Sequence, residues 1–321
     1  MNITQKIFGH SPANMHHWRN AMGALTLVGL TTLSAFAAPK QQSFATPQDG
    51  AQALAQAVKT DNQSALRSIF GADASKLINS GDPVADARNR EKFIQAYGEA
   101  NEIVLTNETH AELQIGKDNW PMPIPLVKSK DSRWRFDPQR GEAEIISRRI
   151  GRNELAAIQA CLAIVDAQNE FAARDPDADG LHEFASRFTS TNGKRDGLYW
   201  PTQPDEALSP LGPLLASAAK DGYLKSGAQS LEPYQGYFYR ILTKQGKSAP
   251  GGAYDYFVKR QMMGGFALVA YPARYGASGI MSFIVSQDGV VYQKNLGRYS
   301  ARLASRIKAF DPDASWMPIH Q

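Results

Sequence analysis

The sequence predicts an α+β fold with antiparallel sheet, and three observations carry the prediction. Apolar residues recur at spacings of three and four in several stretches, among them Leu155, Ile158, Leu162 and Val165, which puts them on one helical face. Beyond Glu102 and again beyond Tyr234 the spacing shortens to two, as in Phe266, Leu268 and Ala270 or Phe283 and Val285, the pattern of strands with one buried face. Gln287-Asp288-Gly289 falls between two such runs and reads as a hairpin turn of the Asp-Gly kind.

Taken in order, the first 37 residues stand apart. They hold Lys6 and Arg19 and no acid, then an apolar run from Ala21 to Phe36, then Ala35-Phe36-Ala37 as a small-x-small cleavage site. This reads as a cleaved secretory signal peptide; the run includes three Thr and one Ser and falls short of the roughly 20 apolar residues a membrane span needs. Export to the periplasm of a Gram-negative type envelope, or beyond it, is therefore expected, with no span after cleavage near Ala37. Without Lys6 and Arg19, the 35 basic residues become 33 against 31 acids, so the overall charge gives little reason to expect nucleic acid. A composition of 43% hydrophobic and 21% charged residues is that of a globular chain with a sizeable core, and 321 residues suggest two domains, 38–150 and 151–321.

In the first half, Thr46 is a good N-cap with Pro47 at the first helical position and Asp49 in the first turn, and Leu54 and Val58 continue the apolar face. A second short helix carries Leu66, Ile69 and Phe70. A third starts at Asp82-Pro83, with Phe93, Ile94 and Tyr97 inward. From Glu102 the chain alternates as strands, with Gly116-Lys117-Asp118-Asn119 as a turn and Trp134 and Phe136 on one face of a further strand. Prolines at 121, 123 and 125 are expected to keep Met122–Val127 at an edge or in a covering loop, because they lack the N–H that a central strand donates.

The second half opens on a helix. Gly151 is expected to break whatever precedes it, Asn153 to cap, and Pro176 to terminate, giving about 20 residues and a rod of roughly 30 Å. Cys161, the single cysteine, falls on or beside the apolar stripe and reads as a small buried hydrophobe. Past the helix, Asp175, Asp177, Asp179, Gly180 and Glu183 match positions one, three, five, six and nine of a calcium-binding loop. Position twelve, which should supply a bidentate acid, is Ser186, and Pro176 suits a helix-ending acidic loop equally well. Calcium is thus the one cofactor the sequence suggests. A Gly- and Pro-rich region over 189–214 follows, with Tyr199 and Trp200 as its pins or, with Trp120, as aromatic surfaces for a ligand or partner. Gly212-Pro213-Leu214 then starts a short helix, and at least four strands complete the chain, needing the helix from Asn153 as cover.

No catalytic constellation is found. After the leader only His110, His182 and His320 remain, none within four residues of another, which leaves His-rich zinc sites and HExxH hydrolysis without ligands. GxSxG, P-loop and strand-following GxGxxG motifs are missing. No catalytic residue is assigned.

Three resemblances add to this. The stretch ALAQAVKTDNQSALRSIF followed by strands resembles the cone-shaped fold of nuclear-transport-factor-2-like or SnoaL-like proteins. Since some members abstract protons with an acid or a His in the cone, that resemblance makes His110 and Asp118 the candidates. The long helix, irregular loop and sheet GGFALVAYPARYG…GIMSFIVSQDGVVYQ are similar to the globular domains of type IV pilin-like proteins, although no pilin-type leader precedes the helix. Finally, GDPVADARNREKF, GKDNWPMPIPLV, RRIGRNELAAIQACLAIVDAQNE, DGLYWP, SPLGPL and GGFALVAYPARYG resemble the bacterial family of unknown function numbered 2950, over nearly all of the chain past the leader. That resemblance implies an envelope protein with no assigned activity. The expectation is a non-enzymatic protein that binds an envelope partner or ligand, the alternative being a small-ligand carrier or enzyme with a pocket in the first-half cone.

Overall fold

The computed structural model describes residues 41–175, 180–221, 223 and 233–319, which belong to one compact unit. Residues 1–40, the loop acids Asp177 and Asp179, and His320 lie outside the described residues. The fold is α+β, with helices and antiparallel sheets. Among the described residues no helix is long and apolar enough to cross a membrane.

Helix α1 (Pro47–Lys59) begins at a capping box: the Asp49 N–H donates to Thr46 Oγ1 and the Thr46 N–H to the Asp49 carboxylate, each at 3.1 Å. Asn62 caps α2 (Gln63–Phe70). After the single turn α3 (Ser75–Ile78), Asp82 caps α4 (Pro83–Glu99) by accepting from the Ala85 N–H at 2.9 Å. These helices pack on a sheet of β1 (Asn101–Asn107), β2 (His110–Ile115), β3 (Trp120–Pro121), β4 (Leu126–Lys128) and β5 (Trp134–Phe136), ordered β1-β2-β4-β5 with β3 also on β2. One face of β2 supplies Ala111, Leu113 and Ile115 to a cluster with Phe44, Leu54, Ile69, Phe70, Leu126 and Phe136.

The prolines keep to an edge strand and a loop as expected, and only the end of the segment departs from expectation. That end, β4, lies inside the sheet between β2 and β5. Pro121 sits in β3, which pairs with β2 alone, and Pro123 and Pro125 lie in the connection to β4; the N–H groups that reach β2 are those of Met122, to Leu113 O, and Lys128, to Thr109 O, both at 2.8 Å. The missing N–H groups therefore interrupt no interior ladder.

Helix α5 corrects a second expectation. It runs unbroken from Pro138 to Arg174, 37 residues and about 55 Å at roughly 1.5 Å per residue. Gly151 does not break it, and Asn153 is no cap; its amide donates to Ser278 O at 2.9 Å from mid-helix. Tertiary contact on both sides overrides the local signal. Ile145 packs on the first cluster, while Ala157, Cys161, Ile164 and Phe171 join a second. Gly141 is buried where a Cβ would stand 2.2 Å from Pro123 O, so the helix lies directly on the proline segment.

After α6 (Gly212–Lys220), the remaining strands are β6 (Tyr237–Leu242), β7 (Lys244–Gln245), β8 (Tyr254–Asp255), β9 (Phe257–Val258), β10 (Gln261–Met262), β11 (Ala267–Pro272), β12 (Met281–Ser286) and β13 (Val291–Asn295). A 3-10 turn (Gly297–Tyr299), α7 (Ser300–Ala304) and β14 (Met317–Pro318) end the chain's described part. The main sheet is ordered β14-β13-β12-β11-β6, every pair antiparallel, with the expected hairpin between β12 and β13. Phe266, Leu268, Phe283 and Val285 fill its core, and α5 covers it. Cys161 is fully buried there, which pushes its thiol up to about 12.

A polar seam joins the two clusters. Arg149 of α5 donates to Lys76 O and Leu77 O, and Arg274 to Asn79 O and Ser75 O, so two guanidinium groups satisfy the carbonyls at the end of α3. Buried Asp82 accepts from the Tyr223 hydroxyl at 2.8 Å and the Gly236 N–H at 2.7 Å. Glu154 Oε1 takes the N–H groups of Ile280 and Met281, each at 2.9 Å.

Candidate anion-binding cleft

The C-terminal strands enclose an open cleft of about 710 Å³ whose rim is cationic. β13 ends at Lys294 and Asn295, and the Asn295 side chain accepts from the Gly297 N–H at 2.8 Å, which turns the chain into α7. Arg240 on β6 holds the end of that helix by donating to Ala304 O at 2.8 Å and Ile307 O at 2.7 Å. The chain then returns along β7: the Phe310 N–H donates to Lys244 O, and the Gly246 N–H to Phe310 O. Glycine is required at 246, since a Cβ there would stand 2.3 Å from the Asp311 carboxyl carbon.

Lys244, Lys294 and Lys308 line this cleft over an apolar floor of Ile284, Leu296, Leu303, Ile307 and Trp316. The ion pairs among the described residues all use arginine, so none of these lysines has a carboxylate partner there. Lys294 donates to the Ser315 hydroxyl and lies 5.6 Å from the Trp316 ring centre. One acid lines the cleft, Asp311, and its Oδ1 already accepts from the Ser248 N–H at 2.8 Å. Asp313 lies near Lys294; hydrogen bonds from Ser315, then the lysine's charge, hold its carboxyl below the usual range. Beside the cleft, Arg298 and Arg302 both stack on Tyr299, at 4.7 and 4.6 Å from its ring centre. Unpaired cations above an apolar floor suit an anionic group attached to an apolar or ring-shaped body.

The cleft draws on residues 244 to 316 and includes none of the residues singled out from sequence. A signal was there: 294–308 contains Lys294, Arg298, Arg302, Arg306 and Lys308 and no acid. A second basic group, at Arg148 and Arg149, serves α5 instead: Arg148 pairs with Glu144 and Arg149 holds α3.

The sequence-based candidates lie apart from one another. Trp120 is 44% exposed on β3. Trp200 is buried in the second cluster with the Arg195 guanidinium 5.5 Å from its ring centre, so it offers no face to a ligand, and Tyr199 is half-buried beside it. Their segment is pinned through backbone bonds of Tyr199 to Phe188 and Ser190, each 2.8 Å. Of the calcium loop, Asp175 takes a left-handed conformation at the end of α5 and accepts from the Gly180 N–H at 3.0 Å, while Glu183 is half-buried. Among the described residues no three His, Cys, Asp or Glu side chains are placed to hold a metal ion. His110 sits by the β1–β2 turn with Nδ1 2.9 Å from Thr109 Oγ1 and 3.0 Å from Asn107 Oδ1, and Asp118 is exposed in its own turn. Neither shares the packed face of β2, which is filled by side chains.

A family model described as "Protein of unknown function (DUF2950)" matches residues 41–319. No curated protein and no solved structure matches the chain.

Proposed function

The chain belongs to the DUF2950 family, and from that starting point we propose that it is an exported, non-enzymatic envelope protein that captures an anionic ligand in the cleft beneath α7. The observation that carries this reading is the convergence of Lys244, Lys294 and Lys308 on one open cleft without a carboxylate partner among the described residues. Three lysines lining one cleft favour an anionic ligand over a neutral one. The apolar floor favours ligands that bring ring or hydrocarbon surface with the charge. The leader Met1–Ala37 supports export, and cell fractionation of a tagged full chain should place it in the envelope.

Calorimetric titration with inorganic tripolyphosphate tests the cleft. The protein from Ala38 should bind it with an affinity that falls as salt rises, and Lys294→Ala with Lys308→Ala should weaken it about tenfold or more, since each lost charge-assisted contact is worth roughly 1.5–3 kcal/mol. Binding that is unchanged in the double variant would refute the assignment.

A further inference from the structure

The β9–β10 hairpin is a second feature, independent of the cleft. Its two-residue turn is Lys259-Arg260, at φ 48° and 75°. Such a turn ordinarily carries Asn or Gly, because both positions are left-handed. Comparable turns elsewhere carry glycine at one or both positions, at Gln235-Gly236 and Gly251-Gly252. Two long cations stand at a position that backbone preference would give to other residues.

Around them the hairpin shows apolar side chains to solvent: Phe257 at 37%, Val258 at 49%, Met263 at 42% and Tyr254 at 40% exposure. Its root is fixed. Tyr256 and Met262 are buried in the second cluster, Met262 O accepts from the Phe184 N–H at 2.9 Å, and Tyr256 O from the Gly264 N–H at 2.9 Å. The tip is thus held out on a rigid stem. Among the described residues neither Lys259 nor Arg260 takes part in an ion pair, and the nearby acid, Asp255, accepts from the Phe257 N–H.

We propose that this tip docks on an anionic lipid surface, with Phe257, Val258 and Met263 entering the boundary between headgroups and acyl chains while Lys259 and Arg260 meet lipid phosphates. Charge and apolar area are interleaved within seven residues, the combination that interfacial binding requires and that a purely aqueous polyanion does not. The apolar residues flank the cations on both sides of the turn, so a hairpin lying along the surface sinks them while the longer Lys259 and Arg260 side chains reach the phosphates.

Co-sedimentation of the chain from Ala38 with phosphatidylcholine vesicles, with and without phosphatidylglycerol, is the test. Binding is expected only with the anionic lipid, and Lys259→Glu with Arg260→Glu should lower it at least about tenfold. Phe257→Ser with Val258→Ser should lower it comparably, with the melting temperature confirming an intact fold. Lys294→Ala with Lys308→Ala should bind vesicles as the parent does, which keeps this result separate from that of the cleft. As a direct readout, Phe257→Trp should shift its emission to the blue on anionic vesicles. No binding to anionic vesicles, binding unchanged in the charge-reversed tip, or binding that survives loss of Phe257 and Val258 would each overturn the proposal.

Discussion

Two glycines in one helix should respond oppositely to the same substitution. At Gly151 of α5 nothing lies within 4 Å of where a Cβ would stand. Gly151→Ala therefore adds only the intrinsic preference of alanine for helix and should stabilise by about 0.5–1 kcal/mol. At Gly141 the same Cβ would stand 2.2 Å from Pro123 O, 2.4 Å from Pro123 C and 2.8 Å from Ile124 N. These are backbone atoms and cannot rotate away, so the cost is at the upper end of overpacking, about 3 kcal/mol. Subtracting the helix preference leaves Gly141→Ala destabilised by about 2 kcal/mol, and the two variants separated by roughly 2.5–3 kcal/mol. At about 2–4 °C per kcal/mol for a chain of this size, their melting temperatures should differ by roughly 5–12 °C. Urea and thermal unfolding followed by circular dichroism read both quantities. Stabilisation by both alanines would mean that the proline segment does not rest on α5, and destabilisation by Gly151→Ala would mean that the helix is not continuous there. Either result refutes the reasoning.

Asp82 and Cys161 carry further expectations. Asp82→Ala removes the cap of α4 and leaves the Tyr223 hydroxyl and Gly236 N–H without their acceptor; a lost cap at about 1 kcal/mol and two stranded donors at about 1–3 kcal/mol each predict a loss of roughly 3–7 kcal/mol in urea unfolding, and a loss below about 1 kcal/mol would contradict the seam described above. Burial raises the Asp82 carboxyl above its ordinary value, against the pull of its three hydrogen-bond donors. The folded state then binds the proton more tightly than the unfolded chain, so the aspartate's contribution is greatest below the unfolded value near 3.8 and declines as pH rises through the folded value. Stability of the parent relative to Asp82→Asn should fall across that window; a rise there would reverse the sign. Cys161 is fully buried with its thiol pushed up to about 12, so a disulfide reagent such as Ellman's should leave the native protein unlabelled and titrate one thiol in urea. Prompt labelling of the native chain would show the second cluster to be open.

Much of the fold was legible where local chemistry decides it. Thr46 with Asp49, and Asp82 with Pro83, start helices by side-chain bonds that span three residues, and Asp288-Gly289 closes a hairpin through turn geometry alone. Where distant chain decides, the sequence misled. Gly151 looks like a breaker because its neighbourhood lacks a strong apolar repeat, yet Ile145 on one side and Ala157 on the other are anchored in separate clusters and carry the helix through it. The prolines at 121, 123 and 125 do stay out of the interior strand, but Leu126 and Val127 just beyond them pair on both sides, which no local signal reports. The cleft was hidden for a similar reason: Lys244 and Trp316 are far apart in sequence, and only the pairing of residue 310 with β7 brings them together. Trp200 drew notice as an aromatic in a loop, but its burial depends on a core that a linear reading cannot draw.

The length of α5 between the two clusters is not free to drift. Each residue added or removed between Ile145 and Ala157 would turn everything beyond it by about 100° about the helix axis, carrying Cys161 and Ile164 away from the sheet that Ile145 cannot follow. Seven residues complete nearly two full turns, with a phase error of only about 20°, so insertions or deletions of that size would keep both faces aligned while displacing the seam at Arg149, Asn153 and Glu154. The natural sequences of such a fold should therefore vary in their loops and hold this span to a fixed count, as a gear train holds its teeth.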